Sequence, residues 1–325
     1  FTDGIAIDPQ GNSFMTKVLS SSRLRGRLKE KIGEHRYRVF ENWQPSGPDI
    51  FAGYQFFLLG SGESAATVKS YDRKTGIMEL DRPLAAELPA DFEITAGEEA
   101  PVLAARLITG TPLQEPLPLL DMRLGSTKGT NALLERKGAP VALVVTSGFA
   151  DIISIGTQQR PQLFQLDIPE PVRLYQKVVE VKERLDARGE VLQPLRPEEA
   201  VAIARQLREE GFQSVAVALL HAYQNAVHER MLEEALQREG IEYISLSHAL
   251  TPSIKLLPRA QTALVNAYLD PVIHHYLSRI AASIGGGQNS STLRVMTSAG
   301  GLISAENYRP KDSLLSGPAG GVVGA

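Results

Sequence analysis

The sequence predicts an α/β protein with a largely parallel sheet, interrupted near its start by a β-rich insertion. Three observations carry this. From about Arg196 onward, strand-length apolar runs alternate with helical periodicity. Val141 to Thr146 repeats that theme upstream as a buried strand. Between Arg23 and Thr111, turn signals are dense and aromatic residues cluster. The expected organisation is residues 1–22 as the start of an α/β core, 23–111 as an inserted β-rich domain, and 112–325 as the rest of the α/β core.

In chain order, the inserted stretch holds Trp43 with Tyr37, Phe40, Phe51, Tyr54, Phe56, Phe57, Tyr71 and Phe92. Pro45-Ser46-Gly47-Pro48, Gly60-Ser61-Gly62 and Lys74-Thr75-Gly76 mark turns between short alternating strands, the pattern of a small antiparallel domain. Thr130 to Lys137 reads as a short helix stopped by Gly138. Ser147-Gly148-Phe149 is a turn, Arg173 to Glu183 alternates like a strand, and Arg184 to Leu192 resembles a hairpin around Ala187-Arg188-Gly189. Pro197-Glu198-Glu199 opens a helix, where a missing N–H costs little and the dipole favours acids. Ala200, Ile203, Ala204 and Leu207 continue it and Gly211 ends it. Ser214 to Leu220 is a strand, about Ala226 to Glu239 a helix, and Tyr243 to Ser247 a strand. About Arg259 to Ile284 is helical, with Asp270-Pro271 expected to kink it or start a new helix. Gly285 to Ser291 is a flexible loop and Leu293 to Thr297 a further strand.

Composition excludes several function classes. The formal net charge is −3 over 325 residues, so no basic excess exists to neutralise phosphates and nucleic acid is not an expected partner. No apolar run reaches the roughly 18 residues of a membrane span, so no membrane partner is expected. With 0 cysteines, disulfides, thiol nucleophiles and Cys-ligated zinc are excluded from this chain, and a cytoplasmic setting is compatible. The first residue, Phe1, is not an initiator Met, and the Gly/Pro/Ala-rich stretch from Ser316 to Ala325 reads as the lead-in to a packed helix. Both ends therefore suggest a piece of a longer protein.

Among candidate site residues, Gly125-Ser126-Thr127-Lys128-Gly129-Thr130-Asn131 stands out. Glycines and hydroxyls ahead of a helix offer N–H groups and side-chain donors to an anion, and Lys128 adds charge. The spacing is not that of a P-loop, and a plainly capped helix start is an equally available reading. Arg160, in Gly156-Thr157-Gln158-Gln159-Arg160-Pro161, suits a carboxylate or phosphate clamp or a loop ion pair. Ser298-Ala299-Gly300-Gly301 and Ser316 to Gly321, with Gly317, Gly320 and Gly321, are places where backbone can approach a ligand, or simply tight turns. Of the histidines, His221 and His248 follow strands, at the edge where parallel sheets bind ligands. Neither has metal-ligand spacing, and structural roles are the expectation for both. His274 and His275 would point about 100° apart on a helix, a poor metal pair.

Several of these segments resemble the hydantoinase A/5-oxoprolinase family: Asn131 to Gly138, Ser147-Gly148-Phe149-Ala150-Asp151, Ile155-Gly156-Thr157-Gln158, Ser214 to Glu229, and Leu315 to Gly324. The resemblance is weak over about Phe1 to Leu19 and strong from about Leu120 onward. Within the family, Ile155 to Gln158 and Leu163-Phe164 are most similar to ATP-dependent 5-oxoprolinases. The resemblance implies an actin-like ATPase fold of two ribonuclease-H-like halves, present here incompletely. It also implies ATP-driven opening of a cyclic amide such as 5-oxoproline or a hydantoin, Mg²⁺, and a B-type partner subunit or domain. N-methylhydantoinase and acetone-carboxylase-type subunits share these features, and a nucleotide-responsive binding module is a reading from another class. Of the family's first phosphate loop only Phe1-Thr2-Asp3 is present. That casts Thr2 as nucleotide-binding and Asp3 as catalytic and metal-binding, with Asn131 as a second catalytic residue. The second phosphate loop is absent and Lys128 departs from the family pattern, so the piece alone is expected to be inactive.

Overall fold

The computed structural model describes residues 1–43, 49–60, 64–159, 173–285 and 291–323. The chain divides into two compact units, Phe1–Leu124 with Tyr276–Arg294, and Gly125–His275 with Val295–Ala325.

In the first unit, β1 (Thr2–Ile7) and β2 (Ser13–Val18) pair as an antiparallel hairpin. Six further strands close an antiparallel barrel: β3 (Leu24–Lys31), β4 (Arg36–Phe40), β5 (Gln55–Leu58), β6 (Ala66–Asp72), β7 (Ile77–Leu80) and β8 (Ala90–Thr95), in the order β3-β4-β7-β6-β5-β8. Alternation sends Leu24, Leu28, Tyr37, Val39, Met78 and Leu80 inward, and charged neighbours such as Arg25, Lys29, Arg36 and Arg38 outward. Trp43 meets Phe51 and Phe92 edge-on at 5.0 and 5.9 Å between ring centres, and its indole N–H donates to the Arg25 carbonyl at 2.8 Å. Each ring thus buries its apolar body while the one polar handle stays satisfied. At Lys74-Thr75-Gly76, Asp72 accepts the Lys74 N–H and the Thr75 hydroxyl, and Gly76 takes φ +66°. The signals at Pro45-Ser46-Gly47-Pro48 and Ser61-Gly62 lie outside the described residues.

Residues of the same stretch also form α1 (Ala100–Thr109), ended by Gly110 at φ +68°. α1 lies on the hairpin, close enough that a Cβ on Gly4 would meet the Ala104 methyl at 3.0 Å. Buried Arg106 is held bidentately by Glu98 and also donates to the Pro112 and Glu115 carbonyls. β9 (Asp121–Leu124) completes the unit's strands.

The second unit is built on α2 (Lys128–Leu134), β10 (Val141–Thr146), α3 (Ile152–Ile155), β11 (Lys177–Val181), β12 (Arg184–Leu185), β13 (Val191–Gln193), α4 (Pro197–Glu209), β14 (Ser214–Ala218), α5 (Val227–Arg238), β15 (Tyr243–Leu246), α6 (Ser247–Leu250), α7 (Leu256–Ile284), β16 (Thr292–Met296), β17 (Leu302–Ser304) and α8 (Ser316–Val323). The last turns of α7 and the first residues of β16 belong to the first unit. β11-β10-β14-β15 is an all-parallel sheet. Its alternate residues Ala142, Val144, Val215 and Val217 pack with Ala200, Ala204 and Leu207 of α4 and Leu232 and Leu236 of α5. Ala218 packs with Leu256 and Ala260 of α7. Both faces are covered, which is why β10 and β14 read as unbroken apolar runs.

Three expectations are corrected, each for a local reason. The short helix runs from Lys128 to Leu134, earlier than the expected Thr130 to Lys137. β14 stops at Ala218 instead of reaching Leu220. The Leu219 and Leu220 N–H groups leave the ladder for the Glu229 carboxylate (3.0 Å) and the Thr146 hydroxyl (2.8 Å). α7 runs through Pro271 as one helix. Proline strips a donor from the Ala267 carbonyl four residues back, and the Ser214 hydroxyl supplies one from the sheet at 2.7 Å. The hairpin around Arg188 is present, with β12 and β13 joined by a turn with Gly189 at φ +84°. Gly285 is described, but residues 286–290 of the expected loop lie outside the described residues. No helix among the described residues is long and apolar enough to cross a membrane.

Candidate functional site

Three separated segments of the second unit meet in a seam of glycines and hydroxyls. Residues 125–131 enter α2, residues 297–301 turn from β16 into β17, and residues 312–321 enter α8. A Cβ on Gly129 would fall 2.0 Å from the Ser313 hydroxyl, and one on Gly317 would fall 2.6 Å from the Thr127 methyl. Gly125 lies against the Ser316 carbonyl and the Gly320 Cα. The glycines let these backbones touch. Hydroxyls tie them: Thr130 donates to the Leu314 carbonyl at 2.5 Å, Ser316 to the Ser126 carbonyl at 2.8 Å, and Ser298 to the Asp312 carbonyl at 2.7 Å. The Leu315 N–H returns to the Ser298 hydroxyl at 3.0 Å.

The sequence-level candidates therefore separate by position. Thr130, Gly125, Gly129, Gly317 and Gly320 serve the seam itself. Ser126 uses its carbonyl for Ser316 and its hydroxyl for the Lys128 N–H (3.1 Å). Thr127, Lys128 and Asn131 are exposed, with the Asn131 amide 3.5 Å from the Thr127 hydroxyl. Gly300 sits at φ +83° in the β16–β17 turn, where the Thr297 N–H meets the Gly301 carbonyl. A Cβ on Gly321 would meet open space. Thr2 and Asp3 belong to the other unit. Thr2 pairs with Val18 across the hairpin, and exposed Asp3 lies 3.3 Å from the Lys17 ammonium. Arg160, Leu163 and Phe164 lie outside the described residues.

A second, buried cluster occupies the C-terminal edge of the parallel sheet. Its members end β10, follow β11, β14 and β15, or lie on α5 and α7. Glu183, buried, accepts the Thr146 hydroxyl, and its other oxygen is 2.6 Å from His228 Nδ1. The Leu195 N–H points at His228 Nε2 at 3.3 Å. Next along α5, Glu229 accepts the Leu219 N–H (3.0 Å) and the Ser247 hydroxyl (2.6 Å) on Oε1. Its Oε2 accepts the His248 N–H (3.1 Å) and lies 2.6 Å from His248 Nδ1. Arg259, fully buried, donates to the Ser247 hydroxyl and to the Leu219 carbonyl, leaving Nε without a partner. Burial pulls its guanidinium below the ordinary arginine value and Glu229 opposes that. The Asn266 amide bonds the Ser245 hydroxyl, and its carbonyl takes the Lys311 N–H. Arg309 donates to the Ala249 carbonyl at 2.6 Å.

This network was only partly visible in the sequence. The positions of His221 and His248 after strands were legible, but Glu183, Glu229 and Arg259 come from other elements and carried no local signal. His221 takes φ +57° and its buried Nδ1 has no partner. Among the described residues no group of three or more His, Cys, Asp or Glu could hold a metal ion.

Fold and clusters together define a mixed α/β protein: a covered parallel sheet with a polar network at its C-terminal edge, a glycine-hydroxyl seam, and a closed six-stranded barrel. Residues 99–240 match the hydantoinase/oxoprolinase N-terminal region and residues 259–325 match hydantoinase/oxoprolinase. The chain belongs to the hydantoinase/oxoprolinase family. It is 39% identical over 222 residues to 5-oxoprolinase 1 of Arabidopsis thaliana, covering 62% of this chain and 18% of that protein. A nucleotide-free structure of acetone carboxylase, an ATP-dependent enzyme, superposes with a TM-score of 0.56 at 26% identity, over 69% of this chain and 34% of that one. The ATP-dependent caprolactamase of Pseudomonas jessenii shares the fold, with a TM-score of 0.55 at 23% identity over 84% of this chain and 38% of that one. The chain spans about a fifth of the length of the curated 5-oxoprolinases it matches (18% for the Arabidopsis protein).

Proposed function

We propose that this chain is part of an ATP-dependent hydrolase that opens 5-oxoproline to glutamate, working with a B-type subunit or domain in the cytoplasm. The observation that carries the reading is the extent of similarity to a 5-oxoprolinase, 39% over 222 residues. The reading takes the α/β unit as an incomplete piece of an actin-like ATPase fold.

In this reading the exposed hydroxyl, ammonium and amide of Thr127, Lys128 and Asn131 face nucleotide or substrate. The seam beneath them fixes their backbone through Thr130, Ser316 and Gly317. Gly300, Gly301 and Gly321 line the same cleft, and Arg160 is a further candidate for holding a phosphate or carboxylate. Thr2 is read as nucleotide-binding and Asp3 as catalytic and Mg²⁺-binding. ATP supplies the phosphoryl group that converts a poor amide electrophile into an activated one. What the protein adds is positioned donors and exclusion of water.

A carboxylase reading has its own support in the 26% identity to acetone carboxylase. The test is phosphate release by the full-length protein with its partner, offered 5-oxoproline, N-methylhydantoin, or acetone with bicarbonate. The reading predicts release with 5-oxoproline above the others. Release with acetone alone reassigns the chain to the carboxylases.

A further inference from the structure

Adjacent residues of α5, His228 and Glu229, each belong to a buried carboxylate–imidazole pair with a 2.6 Å contact. The two pairs are built to different ends. In the first, His228 has both ring nitrogens engaged, Nδ1 on Glu183 and Nε2 by the Leu195 N–H. With both nitrogens engaged inside the fold, this ring has none left for a ligand. In the second, Glu229 already accepts three donors: the Leu219 N–H, the Ser247 hydroxyl and the His248 N–H. A carboxylate so placed is an acceptor only, so His248 presents Nδ1–H to it and keeps its lone pair on Nε2. No protein group among the described residues bonds Nε2, and the side chain keeps 16% of its surface exposed. His248 lies just after β15, on the edge of a parallel sheet where ligands bind.

We propose that the Glu229–His248 pair is a general base, with Nε2 of His248 as the proton-accepting atom. The proposal rests on the functional reading above for its nucleophile, a water attacking an amide carbon activated by a nucleoside triphosphate. In that step one O–H bond of water breaks and its oxygen bonds to the activated ring carbon. The π pair of that carbon moves to the ring nitrogen, and the proton leaves on Nε2. Glu229 is a positioning residue: it fixes the tautomer and stabilises the imidazolium that forms. The charged groups around the ring are Glu229 from α5, Arg259 from α7, one hydroxyl away through Ser247, and Arg309, on the neighbouring Ala249 carbonyl.

The test is His248→Asn in the complete enzyme with its partner. The asparagine amide can still donate to Glu229, while the accepting nitrogen is gone. The expected result is a kcat lowered by ~10²–10⁴-fold, the range for a lost general base. KM and melting temperature should stay near wild type, and the acid limb of the pH–rate profile should disappear. A second measurement, ¹⁵N NMR of histidine-labelled wild-type enzyme, should show Nδ1 protonated and Nε2 unprotonated at neutral pH. A variant with wild-type kcat and pH profile overturns the proposal, and so does an Nε2-protonated ring. Wild-type enzyme that turns over none of the cyclic amides overturns the functional reading instead. The tautomer then decides separately whether the proton-accepting site stands.

Discussion

Gly129 is the residue on which the seam closes most tightly. Alanine is the better helix former by up to ~1 kcal/mol, so Gly129→Ala would stabilise a free helix. Here the new methyl would lie 2.0 Å from the hydroxyl of Ser313, a buried residue that itself bonds the Pro310 carbonyl. We expect net destabilisation of ~1–3 kcal/mol, the scale of overpacking, read from urea melts. A stabilised variant would mean the seam is loose. Asn131 is the contrasting case, exposed and with only the Thr127 hydroxyl nearby. Asn131→Ala should lower turnover of the whole enzyme by ~10²-fold, the effect of losing one positioned donor. Stability should change by no more than ~1–2 kcal/mol. Unchanged turnover with a lower melting temperature would reduce Asn131 to a helix-start residue.

Asp270 gives a pH dependence of known sign. Burial pushes its carboxyl up to about 6, Glu242 adds to that, and His274 opposes it. The folded state therefore binds this proton more tightly than the unfolded chain, whose value is near the ordinary 3.8. Stability from this group is fully present below about pH 4 and declines as pH rises through about 6. Asp270→Asn should flatten that part of the stability curve, which melts across the interval would show. An unchanged slope would place the titration elsewhere.

Among elements, α7 shows how a rule of local sequence is overruled by the sheet beside it. A proline inside a helix reads as a kink or a new start, and at Asp270-Pro271 no new helix starts. The Ser214 hydroxyl, reaching from β14 to the Ala267 carbonyl, has no signature in the sequence of the helix it supports. Ser214→Ala should cost ~1–3 kcal/mol, because it orphans a buried acceptor. Pro271→Ala in the same background should recover most of that by restoring the missing N–H. Additive effects of the two changes would contradict the pairing. The central parallel strands β10 and β14 were legible because both their faces are covered, so all but a terminal residue of each is apolar. The end of β14 was not, because two backbone N–H groups turn to side chains from α5 and β10.

For the whole molecule, the sequence carried the α/β class and the family segments, since both depend on runs of contiguous residues. The seam and the strand-end network join residues from separate elements, 10 to 190 positions apart, such as Glu229 with Leu219 and Ser126 with Ser316. Neither periodicity nor motif spacing encodes such meetings. Glycines singled out as ligand-binding, Gly125, Gly317 and Gly320, prove to touch other backbone. That is a second use of the same lack of a side chain.

In the proposed function this chain serves ring opening driven by ATP. Its most direct test is the stoichiometry of the complete protein with its partner, given ATP and 5-oxoproline, measuring phosphate and glutamate in one reaction. The account predicts that the two products appear in a fixed ratio and that neither forms when ATP or 5-oxoproline is omitted. Phosphate released without any cyclic amide, or glutamate formed without ATP, would contradict it.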